Sequence, residues 1–278
     1  MGKTIRFGKI KYLLLTLFLV CSILPGVPAL AEEHAIERGE TALQIAIDHN
    51  LTMEQLTQLN PDVDLEMMRV GDILIIPDEG LSFEEFRQQL YDAVLRITDL
   101  NCEILADQSA LCLFHIENHS ELAVFDVRVQ TEVRGKNGRI DRAESTIPLM
   151  QILPGELLPM AVMIPGHFDE AEEANAEILN LSQPQILQSS FRIDESLYTQ
   201  TDTILPDGVA ADCRIVFSEE ALPLYQEKKI NVLASAYDED NHLLGVRSLY
   251  CDFYPELQLT IYTNDRRINH VELRMEAY

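Results

Sequence analysis

The chain has 278 residues, with 46 Asp and Glu against 21 Lys and Arg, a net charge of −25 and 47% hydrophobic residues. So acidic a surface excludes nucleic acid as a natural partner, because phosphate binding depends on basic patches, and it repels anionic lipid headgroups. The hydrophobic fraction is that of a globular chain with packed cores and not of a disordered acidic tail.

Residues 1–12 carry Lys3, Arg6, Lys9 and Lys11 without an acid, and the apolar run Leu13 to Leu24 follows. Pro25-Gly26 and the small-residue site Ala29-Leu30-Ala31 close the segment. This is the pattern of a secretory signal peptide, residues 1–31, cut after Ala31. The run is shorter than the ~20 apolar residues that a spanning helix needs, and Pro25 argues against the alternative of an uncleaved anchor. The expectation is a secreted, extracellular chain of 247 residues carrying 17 basic and 46 acidic groups.

From His34 to Pro77 the pattern predicts strand, helix, helix, strand. Thr41 is placed to cap a helix whose apolar positions are Leu43, Ile45, Ala46 and Ile47, and Thr52 to cap a second one carrying Met53, Leu56 and Leu59. Asn60-Pro61-Asp62 stops that helix, since proline cannot continue the hydrogen-bond ladder. Val70-Gly71-Asp72 leads into Ile73-Leu-Ile-Ile76, a buried strand run ended by Pro77. The triplet Asp62-Val-Asp64-Leu-Glu66 lacks the Gly and Glu of a calcium loop, with Met67 and Ile73 at those two positions, and reads as a solvated loop.

Gly39-Glu40-Thr41, Ile45-Ala46, Asn60-Pro61 and Gly71-Asp72-Ile73-Leu74-Ile75-Ile76-Pro77 stand in the order and spacing of a LysM module, which residues 32–78 resemble over their whole length. The resemblance implies a βααβ fold that binds N-acetylglucosamine-containing glycan, peptidoglycan or chitin, in a shallow groove between two loops. The first loop is Gly39, Glu40, Thr41 and Ala42; the second runs from Asn60, Pro61 and Asp62 through Leu65, Glu66, Met67 and Met68 to Arg69. Backbone groups in tight loops hold acetamido groups while apolar side chains cover the acetyl methyl, a use that suits adaptable methionine. For each methionine, ordinary core filling is the competing role. Three positions depart from the family: Glu40 for Asp, Ala42 for a larger apolar residue, and His34 for an aromatic in the first strand. The segment holds 11 acids and only Arg38 and Arg69 as bases, so its glycan contacts fall to neutral groups.

Ser82-Phe-Glu-Glu85 is a capping box opening a helix to about Tyr91, with Phe83, Phe86 and Leu90 on one face. Beyond it the period changes to two. Leu111–Ile116 and Val124–Val133 alternate as half-buried strands, Asn137-Gly138 makes a hairpin turn, Leu153-Pro-Gly-Glu156 a second turn, and Leu157–Ile164 and Ala174–Leu181 continue the sheet. Asp169–Glu173 reads as a solvated loop or helix face. A second copy follows Gln183-Pro184: Asp212–Phe217, Lys229–Tyr237, a turn at Asp238–Asn241, Leu243–Tyr250, Leu257–Tyr262 and His270–Glu276. The reading is two antiparallel β-sandwich domains, residues 79–183 with a leading helix and 184–278. They resemble secreted immunoglobulin-like modules of the FxLyD type, the second through Ala236-Tyr237-Asp238 and Leu244-Gly245-Val246-Arg247, the first through Asn118-His-Ser120 and Leu153-Pro-Gly-Glu156.

Cys102, Cys112, Cys213 and Cys251 allow three pairings in an exported chain. Cys102–Cys112 across a hairpin with Cys213–Cys251 is favoured, reduced buried thiols being the alternative. His115-Ile-Glu-Asn-His119 lies on a strand, where a four-residue offset separates the rings by roughly 13 Å, too far for one metal. Neither a Gly-x-Ser-x-Gly elbow nor a Gly-rich phosphate loop occurs. The expectation is a multidomain α+β and all-β protein, non-catalytic, without cofactor or metal, associated with the cell wall through one glycan-binding module. Its alternative is an envelope adaptor that binds a protein partner.

Overall fold

The computed structural model describes residues 31–77, 82–182 and 191–278. The signal peptide read over residues 1–31, Ala31 apart, lies outside them, as do the boundaries read around Gly80 and at Gln183-Pro184. Among the described residues no helix is long and apolar enough to cross a membrane. The fold is β-rich, with several antiparallel sheets and few short helices. It divides into two compact units between Gln89 and Leu90.

In the first unit β1 (Ala31–Ala35) pairs antiparallel with β2 (Ile73–Pro77), Ala31 opposite Pro77 and Ala35 opposite Ile73. Between them lie α1 (Ala42–Asp48) and α2 (Met53–Leu59). Thr41 accepts the Gln44 N–H at 3.2 Å, and Thr52 forms a full capping box with Gln55, satisfying amides that a helix start leaves orphaned. The core is Ile36, Ala42, Ile45, Ala46, Leu51, Leu56, Leu74, Ile76 and Phe83. Leu43 and Ile47, expected on the buried face of α1, are 57% and 59% exposed. A seven-residue helix buries only one stripe, and Ala42, Ile45 and Ala46 already fill it. Met53 of α2 is likewise on the outer face. α3 (Phe83–Val94) starts at Ser82, whose Oγ accepts the Glu85 N–H while the Glu85 carboxylate accepts the Ser82 N–H. It runs three residues past the expected end at Tyr91.

The second unit contains two sandwiches of the same topology. In the first, β3 (Leu95–Ile104), β4 (Ala110–Asn118) and β8 (Leu157–Ile164) form one sheet in the order β3-β4-β8. The facing sheet is built on β5 (Val124–Gly135), paired with β6 (Ile140–Thr146), the short β7 (Gln151–Ile152) and β9 (Ala171–Ser182). In the second, β10 (Tyr198–Ile204), β11 (Ala210–Phe217) and β14 (Glu256–Tyr262) face β13 (Leu243–Asp252), β12 (Lys229–Tyr237) and β15 (His270–Ala277). Leaving β7 aside, each sandwich joins its first, second and fifth strands in one sheet and its fourth, third and sixth in the other. The opening hairpins match in detail. Asp107 accepts the Ser109 N–H in one and Asp207 the Val209 N–H in the other. β9 starts at Ala171, so Glu172 and Glu173 belong to a strand and not to a loop or helix face.

The repeat explains the cysteines. Cys102 and Cys112 are directly opposite on β3 and β4, with Cα atoms 4.0 Å apart, and are bonded. At the equivalent place in the second sandwich Cys213 faces Asp202. The Cys213–Cys251 bridge suggested by the sequence is not formed, and both are free thiols. Cys213 stands mid-strand on β11, whereas Cys251, opposite Ile230, is near the end of β13 in the facing sheet. Burial, with Asp202 beside it, pushes the Cys213 thiol up to about 12, which leaves it protonated and unreactive.

β12 is buried on both faces. Ile230, Val232, Ala234 and Ala236 enter the core of their own sandwich, while Leu233 joins the core of the other and Tyr237 packs with Leu113 and Leu243. Polar groups complete this seam. Glu276, fully buried, accepts the Met150 N–H at 2.6 Å and the Tyr278 hydroxyl at 2.7 Å. Arg192 bonds Glu156 at 2.7 Å, and Arg274 approaches the same carboxylate at 3.2 Å. The two sandwiches therefore form one unit with two cores.

Candidate functional site

The two loops singled out by the sequence meet where β1 and β2 leave their ladder. The Ile36 N–H donates to the Asp72 carbonyl at 2.8 Å, and the Gly71 N–H to the Ile36 carbonyl at 2.9 Å. These bonds bring the stretch entering Gly39–Ala42 beside the stretch leaving Arg69. Gly39 and Gly71 have φ of +100° and +92°, and both turns need the left-handed conformation that glycine adopts freely.

Within the first loop, side chains are largely spent on the fold. Glu40 accepts the Glu37 N–H at 2.6 Å and contacts His34 Nε2 at 3.0 Å, tying the loop to β1. The Glu37 amide and then the His34 ring hold its carboxyl below the ordinary glutamate range. The departures at positions 34 and 40 thus form a pair, the longer Glu reaching a strand histidine. Thr41 caps α1, and Ala42 is buried in the core. What this loop and the residues entering it present to solvent is Glu37, Arg38, the backbone around Gly39 and Thr41.

In the second loop Asn60 is only 4% exposed, and both polar atoms of its amide are engaged within the fold. It donates to the Leu56 and Ile75 carbonyls at 3.0 and 2.9 Å and accepts the Ile75 N–H at 2.7 Å. It locks the end of α2 to β2 and has no free polar atom for a ligand. Leu65 and Met68 pack on the core, whereas Met67 is 72% exposed. The two adjacent methionines therefore divide the two roles, core filling and surface. Pro61, Asp62, Glu66 and Arg69 are exposed, as is Val70, which the sequence reading did not single out. Asp64 accepts the Glu66 N–H and Asp72 the Arg69 N–H, so the loop's acids fix its turns. The surface on offer combines apolar Met67 and Val70 with backbone groups, a combination able to hold a neutral polar ligand and unsuited to an anion.

No family model matches the chain, and no curated protein matches it. Among solved structures, the Northeast Structural Genomics Consortium target SoR45 aligns with 36% of this chain and 95% of its own, at 14% identity and a TM-score of 0.24. The CBM22-1–CBM22-2 tandem domain of Xyn10C from Paenibacillus barcinonensis aligns with 66% of this chain and 86% of its own, at 9% identity and a TM-score of 0.13. Scores this low carry no argument about fold or function.

Proposed function

We propose that residues 32–78 are a LysM-type module that binds N-acetylglucosamine-containing glycan, and that the protein is an exported, non-catalytic component of the cell wall. The observation that carries this reading is the apposition of the two loops through Ile36, Gly71 and Asp72. It brings the start of the first loop beside the end of the second, where Met67 and Val70 are exposed. In this reading the backbone holds the acetamido groups and Met67 covers the methyl, while Glu40, Thr41, Ala42 and Asn60 keep the loops in shape. The second unit, with immunoglobulin-like sandwiches, serves spacing or protein contact. A single module of this kind binds weakly, because avidity requires a second copy.

The engagement of Glu40, Thr41 and Asn60 in the fold's own hydrogen bonds favours a second reading, an envelope adaptor whose module no longer binds sugar. Retention of the chain lacking its leader on insoluble peptidoglycan and on chitin separates the two, with a chain also lacking residues 32–78 as control. The expected result is retention that disappears with the segment and falls several-fold in Met67→Ala. A folded chain that elutes with the buffer gives the adaptor reading.

A further inference from the structure

β4, like β12, is buried on both faces. Ala110, Cys112, Phe114 and Ile116 enter the core of its own sandwich, while Leu113 packs with Tyr237 and Leu243 of the other. His115 follows Leu113 on that second face and is only 6% exposed. Its ring lies parallel to Tyr237 at 6.0 Å between centroids, and Tyr237 in turn stacks on His270 at 5.2 Å. Rings from β4, β12 and β15 thus form a stack that crosses the seam between the sandwiches.

The surroundings decide where this imidazole carries its hydrogen. Nδ1 faces the Asp99 carboxylate at 3.6 Å, which places the ring N–H on that side. Nε2 is then the acceptor and takes the Tyr237 hydroxyl at 3.3 Å. A second proton has only Nε2 to go to. It would set an N–H donor against the hydroxyl donor and bury a cation near the Arg274 guanidinium of β15. Asp99 of β3 and Glu272 of β15 oppose this, and Asp240, His242 and Arg266 line the same open cleft of about 580 Å³. Asp99 is 72% exposed and screened by water, so burial outweighs it and holds the imidazole below the ordinary histidine range.

We propose that the seam between the two sandwiches is an acid-responsive joint, closed around neutral His115 and loosened when that ring takes a second proton. Because the folded value lies below the unfolded one near 6.5, the neutral ring's contribution is complete above about pH 6.5 and is lost as pH falls from there through the folded value. Loosening uncovers the small apolar cluster of Leu113, Tyr237 and Leu243. The spacing of His115 from His119 gave no hint of this role, because its partners come from a neighbouring strand and from strands over a hundred residues later. The inference concerns the second unit and is independent of glycan binding.

The test is urea unfolding of the chain lacking its leader at pH 7.5 and pH 5.5, with hydrogen exchange read at both. The unfolding constant of the second unit is expected to rise about tenfold at the lower pH, since one proton is worth at most about tenfold per pH unit. Exchange should rise first in the peptides of β4, β12 and β15. His115→Gln keeps an acceptor for the Tyr237 hydroxyl but does not titrate, and is expected to reduce the change to about twofold or less. His242→Gln, at an exposed ring across the cleft, is expected to leave the full change in place. If His115→Gln does not fold, an NMR titration of the histidine ring protons in the unaltered chain decides. A His115 value at or above the ordinary one, equal unfolding constants at the two pH values, or a change that survives His115→Gln overturns the proposal.

Discussion

Asn60 in the first unit and Glu276 in the second are both polar side chains sealed from water, and they draw their partners from different distances along the chain. Asn60 takes its partners from Leu56 and Ile75, within 15 residues along the chain. Glu276 takes an amide at Met150, 126 residues away, and shares its surroundings with Arg192, Glu156 and Arg274. The first unit is stitched by short-range bonds around a small core, and the second by a seam that exists only once both sandwiches are folded. A local stitch costs little loop entropy and fails locally. A distant one is sealed by many groups at once and fails for the whole seam.

Removing Glu276 is the strongest way to break that contrast. Glu276→Ala leaves Arg192 facing an emptied, buried site and orphans the Met150 N–H, and such losses cost about 3–5 kcal/mol. Hydrogen exchange is expected to rise in the peptides around Met150, Arg192 and β15, with the first unit's protection unchanged. A loss confined to the last strand would mean that the seam does not hold the sandwiches together.

Asn60→Ala tests the first unit in the same manner, with a smaller effect. It strips the Ile75 N–H and carbonyl of their partner and is expected to cost about 1–3 kcal/mol. The loss should appear in α2 and β2 only. If urea unfolding of the second unit shifts as well, the two units are not the separate bodies that this contrast requires.

The smallest effect is expected from acid on the half-buried Glu40 tether. The carboxyl's folded pKa lies below its unfolded value, near 4.3. Its contribution is therefore fully present above about pH 4.3 and is lost as pH falls through the lower folded value. Protection of the Glu37 amide should fall in that window, and Glu40→Gln should flatten the dependence. An NMR titration of Glu40 at the ordinary glutamate value would sink the idea.

How much was legible follows the same division. The helix starts at Thr41, Thr52 and Ser82 were read correctly because a cap and its amide lie three residues apart. The strand alternation of β5 and the run of β12 were equally plain. β3 and β10, which open the two sandwiches, were not picked out, since edge strands such as Tyr198-Thr-Gln-Thr-Asp-Thr-Ile204 carry little apolar alternation. Of the candidate site, the two loops were visible from spacing. Which side chains they keep for the fold was not, because that depends on Ile75, His34 and Glu37 coming alongside.

By itself the sequence determined the acidic surface, the short elements and their caps, and the turn at Asn137-Gly138, and it favoured the bridge of Cys102 to Cys112 among three pairings. Each is set by residues close together in the chain. Only the tertiary structure decided that Met68 packs while Met67 is exposed, and that Cys213 meets Asp202 and not a thiol. It also decided that β12 is buried on both faces and that His115 looks across a cleft at a distant turn. Those outcomes depend on which strands pair and which sheet faces meet. Residues that touch only after folding leave no periodic trace in the sequence.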